Sequence, residues 1–190
     1  MDRGREVDRV LVPSFGVGVT GGDSRDSASA SMPRRRHDVG MRISARADYA
    51  VRAVIEVAAA DPARAKSDQI ASTQAIPVKF LEQIMADLRR VGIVASKRGA
   101  DGGYVLGRPA TEITVADVIR AVDGPLAWVR DVRPSSVEYE GRAEPLRDVW
   151  VAVRAALRGV LDHVTIAELL SGELPDEVTG LIAGPEAWQD

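Results

Sequence analysis

Residues 76–106, IPVKFLEQIMADLRRVGIVASKRGADGGYVL, decide the fold. In the first half Phe80, Leu81, Ile84, Leu88 and Val91 recur three and four residues apart, which predicts a helix with that stripe buried. Pro77 suits the first helical position, where a missing N–H costs nothing. Gly92 is a natural helix stop. The period then changes. Residues 93–97 read as a strand, 98–102 (RGADG) carry turn chemistry, and 103–106 read as the return strand. A helix followed at once by a glycine-turned hairpin is a reading helix with a β-wing.

Working outward, Ser44 caps a predicted helix whose Ala47, Ala50, Val51, Val54, Ile55 and Ala58 share a face, and Asp61-Pro62 ends it. Ser67 caps a short second helix through about Gln74, and Ala75-Ile76 is a tight connection into the third. Downstream, Thr114 with Asp117 opens a helix along Val115, Val118, Ile119 and Val122, stopped by Gly124-Pro125. Residues 126–144 are irregular. Glu144-Pro145 opens the longest amphipathic helix, with Leu146, Val149, Trp150, Val153, Leu157, Val160, Leu161 and Val164 on one face; Thr165 and Glu168 form a capping box for a last short helix. The fold class is mainly α with a small β-wing: a winged helix-turn-helix domain plus a long C-terminal helix. The domains are a Gly/Ser-rich disordered extension (1–40), the winged helix-turn-helix (41–124), a loop (125–144), the long and terminal helices (145–171) and a flexible tail (172–190). A second reading takes Met41 as the natural start.

Composition narrows the function. The 190 residues include no cysteine and two histidines, which excludes disulfides, thiolate metal sites, cysteine nucleophiles and most His-based catalysis. No apolar run is long enough to span a membrane, so a cytoplasmic protein is expected. The net charge of −3 divides unevenly: residues 41–110 carry +4 and residues 111–190 carry −8. A basic domain of this kind can meet a polyanion, although +4 over seventy residues is also an ordinary fluctuation.

The reading helix leaves Val78, Lys79, Glu82, Gln83 and Arg89 off its stripe. Gln83 can read a base edge bidentately, Glu82 can accept from a cytosine amino group, and Lys79 can meet phosphate or guanine. Such a face on a lone helix is more often merely solvated. The wing tip tips the balance, because Lys97 and Arg98 stand beside glycines that let backbone approach a phosphate, and Arg98 suits a narrow minor groove.

The segments Met41-Arg42-Ile43-Ser44, Phe80-Leu81-Glu82-Gln83-Ile84, Leu88-Arg89-Arg90-Val91-Gly92-Ile93-Val94, Arg98-Gly99 and Gly102-Gly103-Tyr104-Val105-Leu106 together resemble the Rrf2 family of bacterial transcription regulators. The resemblance runs from Met41 to about Leu170. It implies that Glu82 and Gln83 face bases, that Arg98 enters the minor groove, and that Arg42, Arg46, Arg89 and Arg90 touch the DNA backbone; Lys79 falls in the exposed first turn of the same helix. Tyr49 and Tyr104 are packing residues. The long helix matches the family's dimerisation helix, with Val149, Val153, Leu157, Val160 and Leu161 facing a second copy. The expected partners are therefore double-stranded DNA on a pseudo-palindromic operator and a second copy of the chain.

The chain departs from the family pattern at the loop before the long helix. Cluster-binding members carry three cysteines there; this chain has none, so no iron–sulfur cluster or other cofactor is expected, and His163 does not replace a thiolate. Within the loop, Trp128 and Tyr139, with Trp150, form a candidate effector pocket to which Arg130 or Arg133 would bring charge. Asp131, Glu138, Glu140 and Glu144 are weaker candidates for a cation; core packing and solvated charge are the plainer explanations. The leading expectation is a homodimeric repressor, and not an enzyme. The alternative is a protein-interaction module whose acidic C-terminal part binds a partner protein.

Overall fold

The computed structural model describes residues 43–97, 99 and 102–189. The N-terminal extension, Arg42 and the wing-tip residues Arg98, Ala100 and Asp101 lie outside the described residues, so the expectations placed on them are not addressed by it.

Helix α1 (Ala45–Ala59) begins where Ser44 takes extended backbone and its Oγ accepts the Ala47 N–H at 2.9 Å. Its apolar face buries Ala47, Ala50, Ala53, Val54, Val57 and Ala58. Small side chains there let neighbouring helices approach closely. Helix α2 (Ser67–Thr73) is capped by Lys66 rather than Ser67, and no side chain bonds its first turn. Ser67 is its first helical residue, so its hydroxyl sits past the position from which a cap reaches back.

The connection from α2 to α3 (Val78–Arg90) is a Schellman turn. Ala75 takes a left-handed φ of 50°. Its N–H reaches the Ser72 carbonyl at 3.4 Å, and the Ile76 N–H reaches the Ala71 carbonyl at 2.9 Å. Pro77 is the residue before α3, with ψ 129°, not its first helical residue. The expected stripe also shifts. Leu81, Ile84, Met85 and Leu88 are buried, whereas Phe80 and Val91 are 54% and 48% exposed. Phe80 instead meets Tyr49 of α1 edge-on, with ring centroids 6.4 Å apart. A second Schellman turn ends α3: Gly92 has φ 76°, its N–H reaches Arg89, and the Ile93 N–H reaches Leu88 at 3.0 Å.

The wing is β1 (Val94–Lys97) paired antiparallel with β2 (Gly103–Leu106), with Val94 opposite Leu106 and Lys97 opposite Gly103. Ile93 belongs to the helix stop, so the strand starts one residue later than expected. Sequence reading also missed a third backbone in the wing. Ala65, between α1 and α2, exchanges two hydrogen bonds with Tyr104, at 3.0 and 2.9 Å. That bridge fixes the wing to the core.

Helix α4 (Val115–Asp123) opens with a reciprocal Thr114–Asp117 capping box and packs on α1 and α3. Helix α5 (Leu146–Leu161) buries no residue; it meets the chain chiefly through the Pro134–Ser136 turn and the end of α4. Val164 lies past its end and is buried. Helix α6 (Ile166–Ser171) carries its own capping box and packs on α1, putting Ile166 at 0% exposure in the main core. The expected 145–171 unit therefore divides, α6 belonging with the winged helix. The tail is not loose throughout: helix α7 (Asp176–Leu181) and the 3-10 turn Pro185–Trp188 lie within it. Pro185 is the first residue of its turn, where a missing N–H costs nothing, and Pro175 immediately precedes α7.

Candidate nucleic-acid interface

The outer face of α3 carries Lys79, Glu82 and Gln83, all exposed, on the side away from Leu81, Ile84 and Leu88. The core therefore fixes the helix while its donors and acceptors stay open to a groove. At its C-terminal end, Arg89 and Arg90 are exposed where the helix dipole favours cations. Asp87 organises this end. Its carboxylate takes Arg90 at 3.0 Å and also pairs with Arg46 of α1. Arg46 is thus half-buried and committed to the α1–α3 joint, and its Nε is buried without a hydrogen-bond partner among the described residues. Among the described arginines expected at a DNA backbone, Arg89 reaches the wing: its Nη1 donates to Ser96 Oγ at 3.3 Å.

Between the N-terminal end of α2, the end of α3 and the wing lies a cleft of about 450 Å³. Lys66, Arg89 and Lys97 line it, opposed among the described residues by Asp68. Sequence reading missed Lys66. The available signal was its place immediately before α2, as one of three lysines in a chain of 22 arginines.

Two glycines shape the wing. A Cβ at Gly102 would stand 2.6 Å from the Lys97 carbonyl and 2.7 Å from that of Gly99, both backbone atoms. A Cβ at Gly103 would stand 2.8 Å from the Ala65 carbonyl, where the wing meets the core. The closeness of the hairpin and its docking both require bare backbone.

Two of the three aromatics expected to wall a pocket are hydrogen-bonded to each other. Trp150 Nε1 donates to the Tyr139 hydroxyl at 3.0 Å, and the Arg130 guanidinium lies 5.2 Å from the Tyr139 ring centre. Trp128 is half exposed. A cavity of about 310 Å³ lies instead among Arg120, Arg133 and Arg154, so Arg133 meets a cavity while the aromatics do not line it. Among the described residues no three His, Asp or Glu side chains gather as metal ligands, and the chain has no cysteine, so its donor set does not fit an iron–sulfur cluster. On α5, Val149 is 51% exposed, and Val153, Leu157, Val160 and Leu161 are half-buried. No helix among the described residues is long and apolar enough to cross a membrane.

Two carboxyls are tuned by their neighbours. Burial raises the pKa of Asp162, but hydrogen bonds and charge from Arg158 and Arg120 outweigh it and hold the group below its ordinary 3.8. Glu168 is lowered by the Thr165 backbone N–H and hydroxyl of its capping box.

Comparison with known proteins agrees with this geometry. The Rrf2 family profile, described as an iron-dependent transcriptional regulator, matches residues 43–172. An HTH-type transcriptional regulator of Mycobacterium tuberculosis, Rv1287, is 48% identical over 142 residues, spanning 74% of this chain and 88% of its own. The solved structure of CymR, the global cysteine regulator of B. subtilis, is similar with a TM-score of 0.58 and 36% identity, covering 68% of this chain and 96% of that one. The T. potens IscR structure also scores 0.58, at 31% identity over 70% of this chain and 88% of its own. With this fold and these relatives, the chain belongs to the Rrf2 family and is a DNA-binding transcriptional regulator.

Proposed function

We propose that the chain is a homodimeric, cluster-free repressor that reads a pseudo-palindromic operator and acts in the cytoplasm without catalysing a reaction. The observation that carries this reading is the open face of α3 beside the cationic wing cleft. Lys79, Glu82 and Gln83 project from a helix locked by Leu81, Ile84 and Leu88, and Lys66, Arg89 and Lys97 flank it. Phosphate contacts in the cleft supply affinity, and the exposed polar side chains of α3 supply discrimination. Arg46 acts one step back, holding α1 against α3 through Asp87. The half-covered apolar face of α5 supports pairing with a second copy, which spaces two reading helices along the duplex. The absence of cysteine supports regulation without a cluster.

The test is a binding titration on an operator recovered by selecting genomic fragments. Gln83→Ala is expected to cost about 1–3 kcal/mol on the operator while leaving scrambled DNA unaffected, and Arg89→Gln to weaken both duplexes and flatten the salt dependence by about one counterion. Equal losses from Gln83→Ala on both duplexes would remove α3 as the reading element.

A further inference from the structure

We propose that the cavity where the end of α4 and the following loop meet α5 is a binding site for a small dianion, a compound bearing a phosphate monoester or two carboxylates. The site stands apart from the DNA interface; its regulatory consequence rests on the DNA-binding reading.

The cavity is open to solvent on one side and has a volume of about 310 Å³, at the lower end of the usual range for small-ligand sites. Its walls are Arg120, Arg133 and Arg154 with Gly124, Pro125 and Ala127. Among the described residues no acidic side chain lines it. One arginine is already partnered: Arg120 lies 2.7 Å from Asp162, which Arg158 shares, and Asp117 is 4.0 Å from its other arm. Arg133 and Arg154 have no carboxylate within ion-pair distance among the described residues. Two uncompensated guanidiniums thus face one small space. Their planar donor forks match carboxylate and phosphate oxygens in pairs, which selects an anion over a neutral solute. Two free cations match two negative charges.

The site also touches elements that matter for DNA. Gly124 caps α4 with φ 83°, and the preceding Asp123 accepts a hydrogen bond from Ser44, the cap of α1. Helix α4 packs on α1 and α3. A dianion drawing Arg133 and Arg154 together would bind the 125–133 loop and α5 to the end of α4, and so bias the helix pair that carries the reading face. Arg154 was concealed in the sequence because it interrupts the apolar face of α5 one turn after Trp150.

The experiment is calorimetric titration of the full chain with inorganic phosphate and, separately, with succinate, against sodium chloride of equal ionic strength. The expected result is one saturable site per chain for at least one of the two probes, which also identifies the preferred anion class. Arg133→Gln with Arg154→Gln should weaken it about tenfold or more. Arg154→Lys keeps the charge, guards against a folding artefact and should bind with intermediate strength; circular dichroism and melting confirm the fold of each variant. Heats no different from sodium chloride for both probes overturn the proposal. So does binding that survives the double substitution, or binding abolished in Arg89→Gln, which would place the anion in the wing cleft. Because no DNA is present, failure here is separate from failure of operator binding. On the operator, a saturating probe should change affinity in the wild type and not in the double variant.

Discussion

Replacing Gly102 by alanine tests whether the wing works as a rigid DNA-binding element. The new methyl would meet two backbone oxygens, at 2.6 Å on Lys97 and 2.7 Å on Gly99, so no side-chain rotation relieves it. The turn must open, and the Gly102 N–H gives up its 2.8 Å bond to the Gly99 carbonyl. That bond is worth about 1 kcal/mol net. The damage stays local, because Val94 and the Ala65–Tyr104 bridge still anchor the hairpin to the core. The melting temperature should therefore fall by only about 2–4 °C. Binding should suffer more. Opening the turn displaces Lys97 and the chain that follows it, and each groove or phosphate interaction broken in this way costs about 1–3 kcal/mol. Operator affinity, measured by fluorescence anisotropy at fixed salt, should drop roughly 5- to 150-fold. If hydrogen exchange shows the wing loosened while affinity and salt slope match the wild type, the wing does not touch DNA and that part of the account is wrong.

Three further outcomes follow from the same geometry. Ala75→Gly should stabilise the chain by about 0.5–1 kcal/mol in chemical denaturation, because the left-handed φ of 50° costs alanine about 1–2 kcal/mol and glycine gives back part of that as unfolded-chain entropy; a less stable variant would contradict the turn geometry. The lowered pKa of Asp162 gives stability that is fully present above its ordinary 3.8 and lost as pH falls through its folded value, so acid unfolding below about pH 4 should be shallower in Asp162→Asn; an unchanged acid limb would show that Arg120 and Arg158 do not hold it. Val149→Asp places a charge on a residue already 51% exposed in the single chain, so folding should survive while sedimentation shows loss of the dimer; a dimer that persists would move the interface off α5.

Much of the fold was legible because local chemistry agreed with it. The period change at Gly92, the capping pairs Thr114–Asp117 and Thr165–Glu168, and the Ser44 cap each declare a boundary by their own hydrogen bonds. Phe80 and Val91 misled because a 3.6-residue period describes an arc, and the edges of that arc are buried only where a neighbour covers them. Met85 took the buried place and Phe80 turned toward Tyr49. The Ala65–Tyr104 bridge and the return of α6 to the core were hidden because they join residues far apart in the chain, which periodicity does not register. The arginine cavity was half visible. Arg133 stood out in the loop, but Arg120 and Arg154 come from two helices that only the tertiary fold brings together.

The central claim is sequence-specific DNA recognition, and a fluorescence-anisotropy titration of the full chain tests it most directly. The duplexes are the DNA upstream of its own gene, the strongest fragments from a genomic selection, and scrambled duplexes of equal length. The account predicts that at least one natural duplex binds about a hundredfold or more tighter than its scramble at physiological salt, with affinity falling steeply as salt rises. Equal affinity for every natural and scrambled duplex would contradict it.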